Sequence, residues 1–308
     1  MSLRILITGA TGQVGWHLQR ALAPLGEVVP CTRDQLDLTQ PDAAAQVVRG
    51  LAPDVVVNAA AYTAVDKAES EPELAHAVNA TSPGLIADSL ASNGALLVHY
   101  STDYVFDGAK SGAYQESDAT GPLNVYGESK LAGERLIASS GCASIILRTS
   151  WVYDVRGKNF LRTVLRLARE REELRMVGDQ HGAPTWARMI AESTAQIVAR
   201  CAHERDSANW GFYGIFHVTA AGQTTWAGFA QQILEEYEAL ANGNRDAGRS
   251  GSCLIAKRVV PITSDQYQSP ARRPKNSVLS NSKLQATFGL RLPDWRVQLR
   301  LALEDAVY

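Results

Sequence analysis

The sequence has few of the features that mark specialised architectures. Its four cysteines, Cys31, Cys142, Cys201 and Cys253, are far apart, form no C-x-x-C pair and have no histidine at metal-ligand spacing. That distribution argues against a disulfide framework or a zinc site, and free thiols in a reducing cytoplasm are expected. There is no excess of one charge: 30 Lys and Arg stand against 32 Asp and Glu, for a net charge of −2. Neither nucleic acid nor an anionic membrane is therefore an expected partner. No apolar run is long enough to span a bilayer. The chain enters a strand-like run, Leu3 to Ile7, without a basic, apolar and small-residue leader pattern. No repeat recurs at a solenoid period. What is present is an ordinary globular composition, with 45% hydrophobic residues over 308 positions. That length closes a sizeable core without staples.

The first half alternates short aliphatic runs with longer helical patterns. Strands are expected at Leu3–Thr8, Glu27–Thr32, Asp54–Ala59, Ala95–Ser101 and Ser144–Ser150. Helices are expected at Gln13–Leu25, Asp42–Leu51, Pro72–Asn93 and Leu123–Ser139. The runs are nearly continuous, as in strands covered on both faces. The fold class read from this order is α/β, a Rossmann-type doubly wound parallel sheet with a smaller α/β substrate-binding domain. Residues 1–150 are expected to form the dinucleotide-binding domain, with returning elements near 184–220, and 151–308 mainly the substrate domain. In that second half, helices are expected at Asn159–Arg171, Trp186–His203, Thr225–Leu240 and from Asp294, and a strand at Gly214–Thr219. Leu254–Val260 and the Pro/Arg segment Ser269–Pro274 follow Ala241–Gly251, which is rich in Gly, Asn, Asp and Arg and reads as a mobile loop.

The first strand runs into Thr8-Gly9-Ala10-Thr11-Gly12-Gln13-Val14-Gly15, with glycines spaced G-x-x-G-x-x-G. Gly9 suits the tight turn, Gly12 the approach of backbone to a pyrophosphate, and Gly15 close packing of the next helix. The helix N-terminus then offers N–H groups to phosphate. Where a ribose-binding carboxylate is usual, at the end of the second strand, the chain has Thr32-Arg33. Arg33 suits a ribose 2′-phosphate, or is a solvated surface arginine. NADPH is the expected cofactor, with NADH as the alternative. Asp37-Leu38 can line the adenine region, or Asp37 can cap a helix. After the third strand, Ala59-Ala60-Ala61-Tyr62-Thr63 offers small residues on which a dinucleotide can lie.

The fourth strand ends Ser101-Thr102-Asp103, where ligands gather in an open α/β sheet. Tyr126 follows 24 positions after Thr102, and Lys130 lies four residues further in a helical pattern. Residues so spaced share a helix face. An ammonium beside a phenol lowers its pKa, and a phenol so tuned can protonate a carbonyl oxygen. Thr102 can donate to the same oxygen.

These segments resemble the extended short-chain dehydrogenase/reductase family, and within it the sugar-nucleotide ketone reductases. The matching stretches include Asn58–Glu69 (NAAAYTAVDKAE), Ser101–Gly108 (STDYVFDG), Pro122–Lys130 (PLNVYGESK), Leu147–Tyr153 (LRTSWVY) and Asp179–Thr185 (DQHGAPT). The resemblance runs from the first strand to the last helix. It implies reduction of the C4 ketone of dTDP-4-dehydro-β-L-rhamnose by NADPH or NADH, a step toward cell-surface polysaccharide. It implies Tyr126 as general acid, Lys130 as its partner at the nicotinamide ribose, and Thr102 as the third member. Gly12, Gln13, Val14, Asp37, Leu38, Ala61 and Thr63 match cofactor contacts. Asp103 and Trp151 are implied at the sugar, although a core tryptophan is the plain alternative. Val65, Asn159, Gln180 and Arg273 are further substrate-side residues, with Arg272 an alternative to Arg273 at a diphosphate.

Some relatives form a dimer bridged by magnesium on glutamates. His17 and Arg188 stand at the matching positions here, and neither supplies a hard anionic oxygen. No metal site is expected, and the chain is read as a monomer or homodimer. Two other functions share this fold: a sugar-nucleotide epimerase or dehydratase that cycles a tightly held NAD, and a non-catalytic subunit like the β subunit of methionine adenosyltransferase. Tight cofactor retention would mark the first. The intact Thr102, Tyr126 and Lys130 set argues against the second.

Overall fold

Five of the aliphatic runs become strands: β1 (Leu3–Thr8), β2 (Gly26–Cys31), β3 (Val55–Asn58), β4 (Leu96–Thr102) and β5 (Ser144–Thr149). Every residue of β3 and β5 is buried, the result of helices on both sheet faces. In the computed structural model, which describes residues 2–203, 212–246 and 254–307, these strands and a sixth, Gly214–His217, form one sheet. Its order is Gly214–His217, β5, β4, β3, β1, β2, and every pairing is parallel. From β1 the chain passes through α1 (Gln13–Ala21) to β2, then through α2 (Pro41–Leu51) to β3 on the other side of β1. The order therefore reverses between β1 and β3, and a crevice opens there at the strands' carboxyl ends.

Two expected helices are interrupted. The run Gln13–Leu25 ends at Ala21, and a 3₁₀ turn, Ala23–Leu25, carries Pro24 in its first turn, where no backbone donor is needed. The run Pro72–Asn93 is α4 (Pro72–His76), a π turn at Ala77–Thr81 and α5 (Ser82–Ala91), preceded by the short α3 (Val65–Ala68). The π turn carries Asn79, fully buried, whose side chain accepts from Tyr62 N and donates to Tyr62 O and Ser129 Oγ. Those tertiary bonds fix the wide turn, which local periodicity does not show.

Helix α6 (Val125–Ser139) is started by Asn124, whose Oδ1 accepts from Gly127 N at 2.8 Å. It is locked to β5 by a two-point ion pair between Arg148 and Glu134, at 2.8 and 2.6 Å, with both side chains buried. Removing one partner would strand a buried charge, at about 3–5 kcal/mol.

Beyond β5 come α7 (Phe160–Ala168), α8 (Ala187–His203), α9 (Trp226–Asp246), α10 (Ser282–Phe288) and α11 (Trp295–Val307). Phe216 from the sixth strand, Ile197 and Val198 from α8, and Leu284 and Phe288 from α10 join the core beneath the sheet. A second core gathers Tyr153, Trp186, Phe229, Trp295 and Leu299. Beside it the strand Glu173–Val177 pairs in parallel with Arg258–Ile262, which takes in the end of the segment Leu254–Val260. Helix α9 reaches Asp246, so the start of the expected loop Ala241–Gly251 is helical. The rest of that loop, and Cys253, lie outside the described residues.

Candidate active site

The turn after β1 has the steric demands that its glycines imply. Gly9 has φ +64°, and a Cβ there would meet Ala60 N at 2.7 Å. A Cβ on Gly15 would meet Gly9 O at 2.1 Å. Gly12 is the N-cap of α1 and no side chain caps it, while Thr11 and Gly12 are exposed. The first N–H groups of α1 thus have no side-chain acceptor, which is what a phosphate requires. Val14 follows on α1, half-buried against the core. Gln13, the first residue of α1, accepts at its Oε1 from Asn159 Nδ2 at 2.8 Å.

At the end of β2, Arg33 is exposed and lies 3.5 Å from Asp37 Oδ1. The Asp37 carboxyl also accepts from Thr39 N, and this bond, more than Arg33, lowers its pKa. Leu38 is buried, and its carbonyl accepts from Ser82 Oγ. After β3, Ala60 N donates to Thr8 Oγ1, Tyr62 is held by Asn79, and Thr63 stands exposed before Val65 opens α3.

At the end of β4, Thr102 Oγ1 donates to Asp103 Oδ1 at 3.0 Å and accepts from Tyr104 N. Asp103 is buried, its Oδ2 has no partner, and burial pushes its carboxyl up to about 7. Tyr126 is half-buried beside Tyr104, their rings 5.9 Å apart and edge to face. Here the structure corrects the sequence argument. Burial pushes the Tyr126 phenol up to about 12, Thr102 opposes that rise, and Asp103 adds to it. Lys130 does share α6 with Tyr126, but its Nζ donates to Tyr100 O at 2.6 Å and lies 3.1 Å from His99 Nε2. Neither partner is Tyr126. Burial draws Lys130 down to about 8, against the pull of Glu134.

Trp151 follows β5 with φ +46°, a rare conformation for a bulky residue. It stacks on Trp226, whose Nε1 donates to Gln180 Oε1 at 3.2 Å. Gln180 in turn donates to Ser264 Oγ. Arg273 is paired with Asp66 of α3 at 2.9 Å. Gln180, Ser264, Tyr267, Arg272 and Arg273 line a cavity of about 530 Å³ that continues past Asp107 and Leu123. Asn159 is differently placed. It caps α7 and its Nδ2 is engaged by Gln13 and by the carbonyls of Asp154 and Arg156. His17 bonds Asp154, and Arg188 pairs with Glu192 and Asp305.

A model of the RmlD substrate binding domain matches residues 3–307. The chain belongs to that family. The dTDP-4-dehydrorhamnose reductase of Burkholderia thailandensis is 52% identical over 303 residues, covering 98% of this chain and 99% of the relative. The reductase of the same name from Escherichia coli K12 is 45% identical, with 98% of each chain covered. Among solved structures, the dTDP-4-dehydrorhamnose reductase of Clostridium acetobutylicum aligns with a TM-score of 0.85 at 35% identity, over 99% of both chains. That of Bacillus anthracis, in complex with NADP, aligns at 0.83 and 33% identity, over 99% of this chain and 100% of its own. A UDP-glucose 4-epimerase from Thermus thermophilus, at 20% identity and a TM-score of 0.73, shares the Rossmann-type fold alone.

In this RmlD-family chain, sequence reasoning missed Trp226, Asn79 and His99. Trp226 reads in sequence as the start of a helix, and Asn79 as one polar residue in a long one. His99 lies inside a strand whose facing partners only the sheet order reveals.

Proposed function

We propose that this chain reduces the C4 ketone of dTDP-4-dehydro-β-L-rhamnose to dTDP-L-rhamnose. The observation that carries this reading is the meeting of Thr102, Asp103 and Tyr126 at the carboxyl end of β4, beside a glycine turn at the point where strand order reverses. The family and its named relatives supply the substrate.

The residues fit a dinucleotide. The bare N-terminus of α1 suits the pyrophosphate, Gly9 and Gly15 admit no Cβ, and Ala60 to Thr63 offer a low wall. NADPH held there, or NADH in its place, supplies the hydride. Arg33 is the residue for the 2′-phosphate, with Asp37 and Leu38 toward the adenosine. Tyr126, with its pKa near 12, is a protonated donor at neutral pH, and it gives its proton to the ketone oxygen. With substrate in place the Thr102 hydroxyl turns from Asp103 and donates its one hydrogen bond to that oxygen. Asp103 and Trp151 hold the sugar, and Val65, Gln180 and Arg273 face the nucleotide. Asn159 contributes by fixing the loop against Gln13.

In this reading residues 1–150 with returning elements form the dinucleotide half, and 151–308 mainly the sugar-nucleotide half. No helix among the described residues is long and apolar enough to cross a membrane, and the reduction is assigned to the cytoplasm. His17 and Arg188 supply no anionic oxygen themselves, and the carboxylates beside them, Asp154, Glu192 and Asp305, are engaged by these two side chains; no bridging magnesium is expected, and the chain is read as a monomer or homodimer. The direct test supplies dTDP-4-dehydro-β-L-rhamnose, made in situ, and follows NADPH absorbance. One NADPH oxidised per sugar is the expected result; no oxidation by the folded protein overturns the reading.

A further inference from the structure

Behind Lys130 runs a line of buried polar side chains with no place in the reaction described so far. His99 Nε2 lies 3.1 Å from Lys130 Nζ, His99 Nδ1 lies 3.0 Å from Asn58 Nδ2, and Asn58 Oδ1 accepts from Thr8 Oγ1 at 2.6 Å. All four residues are at most 1% exposed. The line crosses three neighbouring strands, β4, β3 and β1, because register sets His99 directly beside Asn58 and Asn58 beside Thr8.

Hydrogen-bond arithmetic decides how the line must run. An ammonium has three donors and no acceptor. One N–H goes to Tyr100 O. Without His99 as an acceptor, a second would be buried and unpaired. Burial and the lysine charge both hold the His99 pKa well below the usual imidazole value, so the ring is neutral and has one acceptor nitrogen. With Nε2 facing the ammonium, the proton sits on Nδ1 and points at Asn58. A half-turn of the Asn58 amide exchanges its nitrogen and oxygen, so it can accept from Nδ1 and donate to Thr8.

We propose that His99 is a positioning residue of the reaction. Its neutral ring, protonated at Nδ1, accepts one N–H of Lys130 while the Tyr100 carbonyl accepts another, and the third is left for the ligand side. A two-point hold from β4 would keep one proton of the lysine aimed outward, at the face of α6 that carries Tyr126.

The ionisable groups around the pair come from several elements. Glu134 of α6 favours the charged lysine and is itself held by Arg148 of β5. Tyr100 of β4 bonds Thr194, and Asp103 and Tyr126 lie on the ligand side. On elements packed against other faces of α6, Glu73 and Asp88 are exposed, His76 is half-buried, and Asp66 is taken by Arg273.

Two measurements test the proposal, and only the second rests on the reductase reading. In the full chain labelled with ¹⁵N-histidine, two-bond proton–nitrogen spectra report each ring's tautomer, and loss of a signal in H99Q assigns His99 among the six histidines. The expected result is a neutral Nδ1–H ring from pH 6 to 9. An Nε2–H or a cationic ring overturns the proposal. The kinetic arm follows NADPH oxidation against pH. H99F, lacking the acceptor, should move the alkaline limb of kcat down by about one pH unit. H99Q, with a carbonyl in reach, should restore it. A limb unmoved in H99F, or moved equally in both variants, overturns the proposal; if H99F fails to fold, the tautomer measurement decides.

Discussion

The indoles of Trp151 and Trp226 lie face to face, 3.6 Å between centroids and 7° between planes, with Trp151 at φ +46°. Such a backbone costs about 1–3 kcal/mol and persists only where surroundings over-determine it. Here Trp226 covers one face, and Gly182 supplies bare backbone at a point where a Cβ would come within 2.4 Å of the Trp151 ring. Trp226→Ala should free Trp151 and lower kcat/KM for the sugar nucleotide by up to about tenfold, with NADPH affinity unchanged. Steady-state kinetics and a cofactor titration check both halves. Unaltered kcat/KM would show that the stack does not set the sugar site.

Tyr126→Phe keeps the ring against Tyr104 and removes the proton donor. Its kcat should fall by about 10²–10⁴-fold, while NADPH binding, followed by fluorescence, stays near wild type. Wild-type turnover in this variant would remove Tyr126 from its role.

Arg33 is exposed, and its recorded partner Asp37 is an acid that also has Thr39 N. Releasing Arg33 to a 2′-phosphate therefore costs little. Arg33→Ala should weaken NADPH more than NADH, measured as separate dissociation constants. Equal losses for both cofactors would mean that Arg33 does not read the phosphate.

Asp103 carries a pH signature. Its carboxyl rises from an ordinary 3.8 to about 7 because burial disfavours the charge. Between those values the folded chain binds more protons than the unfolded one. Its contribution to stability is thus fully present below about 3.8 and lost as pH rises through about 7. Asp103→Asn should melt at a temperature closer to wild type at pH 5 than at pH 8, where the variant should be relatively more stable. Thermal melts at the two pH values would refute this if the difference were the same at both.

Much of the molecule follows from local pattern. Aliphatic runs such as Val55–Val57 commit the chain to buried parallel strands, because both faces must be covered. Gly9 and Gly15 fix a turn that no larger residue can make. Tyr126 and Lys130 sit on one helix face because helical geometry puts residues four apart together. What tertiary structure decided is who meets whom. Lys130 has two inward partners, the Tyr100 carbonyl and His99, since β4 lies under α6. Trp151 stacks on Trp226, and Asp66 pairs with Arg273, across long stretches of chain. The phenol's proton affinity also belongs to this level: burial, a property of the whole packed chain, set the direction of the shift.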